Sequence, residues 1–120
     1  MIWLRSVHLA CAALLLFSTA CGSAEKVPLS QSAKDGRAVY MSVCIACHNY
    51  DPNLDGGLGP ANAGASLALL EAKVLRGEYP PGYTPKRASQ AMPPLPHLAD
   101  QIPALYAFLA ESQRDLPKLR

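Results

Sequence analysis

The chain has 120 residues, which is room for one domain. Eleven Lys and Arg stand against nine Asp and Glu, so the formal net charge is only +2. This near-neutral balance gives no case for nucleic acid or for a strongly acidic partner. Large aromatic side chains are few, with two Phe, five Tyr and one Trp in the whole chain. A hydrophobic prosthetic group would complete the core of such a domain.

Residues 1–24 have the pattern of a secretory signal. Arg5 is the only early basic residue, an apolar run follows at residues 9–17, and small residues close the segment. The alternative is an uncleaved membrane anchor, but the run is about half of the roughly 20 residues that a spanning helix needs. We therefore predict an exported, periplasmic protein.

The end of this segment contains a candidate lipidation site. Residues 18–21 read "STAC", which resembles the lipobox of bacterial lipoproteins, although leucine is usual where Ser18 stands. Cleavage before Cys21 would leave a lipidated cysteine that anchors the protein to a membrane. The alternatives are simple cleavage after Ala20 or after Ala24. Residues 25–31 would then form a polar tether.

The first predicted helix covers residues 33–43. Ser32 is a suitable N-cap, and apolar residues recur at helical spacing. Gly36 interrupts this pattern at a cost of about 1 kcal/mol relative to alanine. We interpret it as the point where another helix approaches closely, the alternative being a plainly tolerated glycine.

Two long loops surround the second predicted helix. The first, at residues 49–64, is rich in Asn, Asp, Gly and Pro. Ser66 caps the helix at residues 67–76, and Gly77 ends it. The second loop, at residues 78–97, contains six prolines. A loop of this length in a compact domain is usually functional.

The third predicted helix covers residues 101–112, with Asp100 as its cap and Pro103 in its first turn. No segment alternates between apolar and polar residues as a strand would. The predicted fold is therefore all-α, with three main helices and long loops. The domain is expected at residues 32–113, followed by a polar tail at residues 114–120.

Residues 44–48, Cys-Ile-Ala-Cys-His, are compatible with three chemistries. A thioredoxin-type Cys-x-x-Cys site lies where a strand meets a helix, and no strand pattern is present. A structural zinc site usually takes four protein ligands, and His97 stands alone downstream of the motif. Cys-x-x-Cys-His is the signature of covalent haem c attachment. Cys44 and Cys47 would form thioethers with the haem vinyl groups, and His48 would bind the iron.

Residues 34–110 resemble a class I cytochrome c. In that family a glycine and an aromatic residue lie eight and four positions before the first haem cysteine, as Gly36 and Tyr40 do here. The last helix of the family carries a leucine and an aromatic residue three positions apart, as Leu105 and Phe108 do. The resemblance implies that these two pairs pack together where the terminal helices cross.

The resemblance also implies the small cytochrome c fold, with three main helices and long loops wrapped round one covalently bound haem. The Gly-Pro pair that follows the haem motif in the family matches Gly59 and Pro60. The Pro60 carbonyl would accept the proton on Nδ1 of His48, which leaves Nε2 for the iron.

The second axial ligand is expected to be Met92. It precedes two prolines in a segment similar to the distal loop of small bacterial cytochromes and of the cytochrome subunits of periplasmic alcohol dehydrogenases. Those prolines would keep the thioether aimed at the iron. Met41 is too near Cys44 in the chain, and His97 is better explained as a solvated loop residue. We therefore predict that His48 and Met92 are the axial ligands.

Further residues are assigned to the haem environment. The candidates for hydrogen bonds to the haem propionates are Tyr79, Tyr83, Arg76 and Arg87. The family's haem environment would be lined by Leu67, Leu70, Leu95 and Ile102.

These expectations describe a one-electron carrier rather than an enzyme. It would pass electrons from a donor dehydrogenase or respiratory complex to an acceptor, through transient contacts with redox partner proteins. The alternative is a dedicated electron-accepting subunit of a periplasmic dehydrogenase or oxidase complex. A further alternative is a haem sensor or peroxidase in which Met92 is displaced from the iron.

Overall fold

The computed structural model describes residues 27–113. They form three α-helices, α1 (Gln31–Val43), α2 (Leu67–Arg76) and α3 (Ile102–Ser112), with 3₁₀ turns at Cys44–Ala46 and Pro96–Gln101. Residues 27–113 contain no strand, so the all-α prediction is confirmed. None of the helices in this range is long and apolar enough to cross a membrane.

Several sequence predictions lie outside the described residues. They are the signal segment at residues 1–24, with the candidate lipidation site Cys21, and the polar tail at residues 114–120.

Helix α1 begins two residues earlier than predicted. Its N-cap is Ser30, whose Oγ accepts a hydrogen bond from the Ala33 N–H at 3.1 Å. Ser32 lies inside the first turn, so its prediction as the cap was wrong. A tertiary contact favours the earlier serine, because the Ser30 N–H also donates to Oε2 of Glu111, 81 positions along the chain, at 2.9 Å.

Helix α2 has the predicted bounds. Ser66 is its N-cap, and its Oγ accepts from the Leu69 N–H at 3.2 Å. Gly77 ends the helix with φ of 74°, a left-handed conformation that a residue without a Cβ adopts at little cost. Both signals are local in the sequence, which is why the prediction is confirmed at both ends.

Asp100 does not cap α3, contrary to the prediction. It lies within the 3₁₀ turn Pro96–Gln101, which continues directly into the helix. The Ile102 N–H donates to the Ala99 carbonyl, so the turn itself satisfies a donor that a capping side chain would have served. Pro103 lies in the first turn of α3 as predicted, where its missing N–H costs no helical hydrogen bond.

Helices α1 and α3 cross at Gly36. A Cβ on this glycine would overlap the backbone carbonyl of Ala104, so the interpretation of Gly36 as a point of close approach is confirmed. Tyr40 packs beside it against Phe108, with ring centroids 5.3 Å apart and ring planes at 55°. Tyr40, Leu105 and Phe108 are all buried. The predicted packing of the two residue pairs is therefore present, and it forms the centre of the core.

Candidate functional site

A cavity of about 510 Å³ lies between the helices and the two long loops. This volume is within the range of about 300–1,000 Å³ that is typical of ligand sites. The end of α1 and the turn after it form one part of the wall, and one face of α2 forms another. The remainder comes from residues 58–66, from the proline-rich loop at residues 79–95, and from Leu105 and Leu109 of α3.

The Cys-x-x-Cys-His motif lines this cavity with all three of its chemically active residues. Cys44 is the C-cap of α1, and its carbonyl accepts hydrogen bonds from the N–H groups of Cys47 at 3.2 Å and of His48 at 2.9 Å. The tight turn therefore brings both thiols and the imidazole to the same space. Both thiols are free and half-buried.

His48 is oriented by a backbone carbonyl. Its Nδ1 lies 2.9 Å from the Pro60 oxygen, the contact that the sequence resemblance implied. A carbonyl oxygen can only accept, so in the neutral imidazole this bond places the proton on Nδ1 and leaves a lone pair on Nε2. Gly59 packs directly against the ring, where a Cβ would be too close to the imidazole atoms. The Gly59 N–H also donates to the Cys47 carbonyl at 2.9 Å, which ties this loop to the motif.

The environment of Cys44 differs from that of a redox-active thiol. Burial raises the pKa of the Cys44 thiol to about 11, so it is protonated at neutral pH. Thiol–disulfide oxidoreductases instead lower the pKa of their attacking thiol. The site therefore gives no support to a disulfide oxidoreductase.

Met92 is the axial-ligand candidate that the structure brings to the cavity. Its side chain is half-buried and lines the same space as His48. His97 is exposed on the 3₁₀ turn before α3 and is not part of the cavity wall. Met41 packs against the hydrophobic core, as Met92 also does, but it is not part of the cavity wall. The structure thus groups Met92 with the motif and separates both competitors from it.

The charged residues of the cavity wall are all cationic. They are Lys73, Lys86 and Arg87, and no Asp or Glu of the described residues joins them. Of these three, only Arg87 was predicted from the sequence to lie near the bound group. The position of Lys73 gave a signal that could have found it, because it lies four residues after Leu69 and three after Leu70 on one face of α2. Lys86 lies in a loop and gave no such signal.

Tyr79 and Tyr83 also line the cavity, as the propionate assignment required. Their rings are stacked, with centroids 5.4 Å apart, and Nζ of Lys73 lies 4.4 Å from the Tyr79 centroid. Arg76 is different, since its Nε pairs with Oε2 of Glu78 at 3.4 Å on the surface and it is not part of the wall. The structure therefore excludes Arg76 from the cavity.

Two of the four apolar residues expected around a haem line the cavity. Leu70 and Leu95 line the cavity, whereas Leu67 is exposed and Ile102 is buried in the core away from it. The face of α2 that meets the cavity is instead formed by Leu69, Leu70, Lys73 and Val74. The orientation of α2 about its own axis decides this, and an apolar pattern alone does not define that orientation to within one residue.

Within residues 27–113, no three His, Cys, Asp or Glu side chains lie close enough together to hold a metal ion. Comparison with known proteins found no matching family model, no matching curated protein and no matching solved structure.

Proposed function

We propose that this chain is an exported class I c-type cytochrome, a one-electron carrier that holds a single covalent haem c and is not an enzyme. The observation that carries the proposal is the composition of one cavity. It is lined by Cys44, Cys47 and His48 of the attachment motif and by Met92 from a loop about 45 residues further along the chain. The all-α architecture and the crossing of the terminal helices are consistent with the small cytochrome c fold.

The other residues of the wall fit the chemistry of a haem. Leu69, Leu70, Leu105 and Leu109 give the cavity an apolar interior, which matches the macrocycle. The cationic set, Lys73, Lys86 and Arg87, has no acidic neighbour in the wall, which matches the carboxylates that a haem carries. Each of these cations also has a partner within the chain: Lys73 donates to the Gly77 carbonyl, Lys86 donates to the Ala61 carbonyl, and Arg87 pairs with Asp55.

The motif residues would hold the group by covalent and axial bonds. The S–H bonds of Cys44 and Cys47 would add across two vinyl groups, so that each sulfur bonds to carbon and each hydrogen stays on the product. This addition consumes no oxidant and no reductant. His48 would supply Nε2, which its hydrogen bond to the Pro60 carbonyl leaves unprotonated. Met92 would supply its thioether sulfur as the second ligand.

When bound, haem c supplies an iron centre that gains and loses one electron. The thioether of Met92 is a soft, weak ligand that favours ferrous over ferric iron, so the reduction potential is expected to exceed that of a bis-histidine site. This places the chain in a circuit with a donor dehydrogenase or respiratory complex. Ile45 in the motif and Leu58 in the following loop are exposed apolar side chains that would be available for transient partner docking.

Export and membrane anchoring are part of the same proposal. Residues 1–24 would direct the chain to the periplasm, where haem attachment consumes thiols that would otherwise be oxidised. Lipidation of Cys21 would then hold the protein at a membrane. The intact mass of detergent-extracted protein tests this: a chain that begins at Gly22 or Glu25, or an unmodified Cys21, excludes the anchor.

The decisive experiment concerns covalent attachment. The full chain is expressed with its signal in a host that attaches haem c, and a denaturing gel is stained for haem peroxidase activity. We expect the stain to follow the wild-type chain and to be lost in the variant Cys44→Ala/Cys47→Ala. Haem that acid-acetone removes from the wild type, or a mass that shows a disulfide and no haem, would overturn the proposal. Carbon monoxide binding to the unmodified wild type would indicate a sensor or peroxidase instead.

A further inference from the structure

The two loops that form the cavity are joined to each other by polar contacts. Nη2 of Arg87 lies 3.3 Å from Oδ2 of Asp55 and 3.3 Å from the Gly56 carbonyl oxygen. The neighbouring Lys86 donates from Nζ to the Ala61 carbonyl at 2.7 Å. We name Asp55, Lys86 and Arg87 the loop clamp.

The first side of the clamp reaches the loop that orients His48. Oδ1 of Asp55 accepts a hydrogen bond from the Ala61 N–H at 2.7 Å. Ala61 directly follows Pro60, whose carbonyl oxygen lies 2.9 Å from Nδ1 of His48. One carboxylate therefore fixes the backbone next to the group that orients the imidazole and also faces the guanidinium of Arg87.

The second side of the clamp reaches the segment that carries Met92. Residues 88–91 are exposed and have no regular secondary structure. The next backbone anchor after the clamp is the Leu95 N–H, which donates to the Val74 carbonyl at 2.6 Å. Met92 thus lies between two attachment points of its loop, the clamp at residues 86–87 and Leu95, and its side chain also packs against the hydrophobic core. Without the clamp, the segment between attachment points would extend back towards the turn in which the Tyr83 N–H donates to the Pro80 carbonyl.

We propose that Asp55, Lys86 and Arg87 are positioning residues that keep Met92 at the cavity by joining its loop to the loop that orients His48. This inference rests on the proposed function, because it assigns the clamp to the control of an axial ligand. The clamp limits how often the Met92 segment moves away from the cavity. It therefore limits how fast an external ligand can reach the site.

A variant at Asp55 distinguishes a role in positioning the two loops from a direct role in binding the haem. Lys86 and Arg87 also line the cavity, so their removal could act on the bound group itself. Asp55 is not part of the cavity wall and can act only through its partners. In Asp55→Asn, the amide oxygen can still accept from the Ala61 N–H, while the charge that faces Arg87 is lost.

The test measures the rate at which imidazole displaces the native ligand of the ferric protein. The variants are Asp55→Asn, Arg87→Gln and Lys86→Gln/Arg87→Gln. Arg76→Gln is the matched control, because it removes a similar ion pair with Glu78 that lies on the surface outside the cavity. The weak long-wavelength band of sulfur-to-iron charge transfer is recorded for each protein before imidazole is added.

We expect imidazole to bind about 1.5-fold to fivefold faster in Asp55→Asn and in Arg87→Gln, the range set by the modest strength of exposed ion pairs. The double change Lys86→Gln/Arg87→Gln should accelerate binding about tenfold, because both cross-loop contacts are lost. Arg87→Lys, which keeps the charge, should restore part of the wild-type rate. The charge-transfer band should remain in every variant, since Met92 is still the ligand for most of the time.

The outcomes distinguish the clamp from the proposed function. If the wild type carries no covalent haem, the proposed function fails and the clamp's role fails with it. If the wild type shows the sulfur band but Asp55→Asn binds imidazole no faster than Arg76→Gln, only the clamp is refuted. Faster imidazole binding in Arg87→Gln, with no change in Asp55→Asn, also refutes the clamp, because Arg87 then acts on the bound group directly.

Discussion

The helix crossing and the cavity loops are built on different physical principles. At the crossing, the side chains of Tyr40, Leu105 and Phe108 are no more than 4% exposed, and the α1 and α3 backbones touch at Gly36. In the loop at residues 79–94, no side chain is buried. The crossing is stabilised by apolar burial. This loop is held by a few polar contacts, by its anchor at Leu95 and by partly buried side chains such as Met92.

This difference separates stability from function. Buried apolar contacts contribute most of the folding free energy, so changes at the crossing should affect unfolding of the whole domain. The loops contribute fewer buried contacts and carry Met92, so changes there should affect the site first. Each of the following predictions tests one side of this division or the connection between the two sides.

If the proposed function holds, the largest effect is expected from Met92→Ala, a change in the proline-rich loop. Loss of the thioether should abolish the sulfur-to-iron band, lower the reduction potential and open the iron to carbon monoxide. Covalent haem and helix content should survive, because Cys44, Cys47 and His48 are unchanged. Visible and near-infrared spectra in both redox states, with circular dichroism, provide the measurement.

His97→Ala is the matched control for Met92, because His97 is exposed and outside the cavity. The sulfur-to-iron band and the reduction potential of His97→Ala should equal those of the wild type. The reverse pattern, in which His97→Ala opens the iron and Met92→Ala has no effect, would show bis-histidine ligation and refute the high-potential circuit.

The second prediction concerns Gly36→Ala, a substitution at the crossing of α1 and α3 and outside the cavity loops. Alanine gains about 1 kcal/mol in helix propensity. Its Cβ would overlap the Ala104 backbone carbonyl, and since backbone cannot move aside cheaply, we expect a net loss of about 2 kcal/mol. Urea unfolding measures this loss. Gly57→Ala is the control, because a Cβ there meets no atom within 4 Å, and it should leave the unfolding midpoint nearly unchanged.

Equal urea unfolding midpoints for Gly36→Ala and Gly57→Ala would mean that α1 and α3 do not approach as closely as the structure shows. A shift in the sulfur-to-iron band of Gly36→Ala under native conditions would show instead that the crossing and the site are not independent.

The sequence predicted features whose causes are local. Helix α2 was predicted at both ends, because Ser66 and Gly77 act within one turn of the residues they serve. The start of α1 depends on Glu111, which is distant in sequence, and the start of α3 depends on a preceding 3₁₀ turn. Patterns along the chain do not contain either cause.

The same holds for the candidate site, where only the features with local causes were predicted from the sequence. The motif at residues 44–48 is contiguous, so its three active residues were identified from sequence and lie together in the structure. Asp55 and Lys86 were not singled out, because their roles depend on how two long loops meet. Leu67 was placed in the lining where Leu69 stands, because apolar periodicity does not fix the rotation of α2.

The third prediction, Tyr40→Phe, tests the connection between the crossing and the loops. Tyr40 is buried at the crossing, and its hydroxyl donates to the Asn49 carbonyl at 2.8 Å, with Oδ1 of Asn62 at 3.3 Å. Burial raises the pKa of Tyr40 to about 12, so the hydroxyl remains a donor at all ordinary pH values. Its removal should cost about 1 kcal/mol and leave the carbonyl after His48 without this partner.

Urea unfolding gives the stability cost of Tyr40→Phe, and amide exchange at residues 49–62 shows whether the loop is loosened. Tyr106→Phe is the control, because Tyr106 is 40% exposed on α3 and its hydroxyl removal should change neither quantity. Faster exchange across the whole domain, rather than at these residues, would mean that Tyr40 acts on global stability and does not connect the two regions.

The smallest effect is expected from the ionisation of Asp55. Its pKa is lowered by the hydrogen bond from the Ala61 N–H, then by the guanidinium of Arg87, with Lys86 adding a further positive charge nearby. The folded chain therefore favours the carboxylate, and the unfolded chain binds the proton more readily. The stabilisation is fully present above the ordinary pKa of an aspartate and is lost as the pH falls through the lowered value.

The difference in unfolding midpoint between the wild type and Asp55→Asn should be constant from neutral pH to about pH 5 and should shrink below about pH 4. Added salt should reduce the same difference, because the pair is exposed and screened. A difference that grows towards acid pH would show that Asp55 is destabilising when ionised, and the contacts to Ala61 and Arg87 would then not hold the loops together.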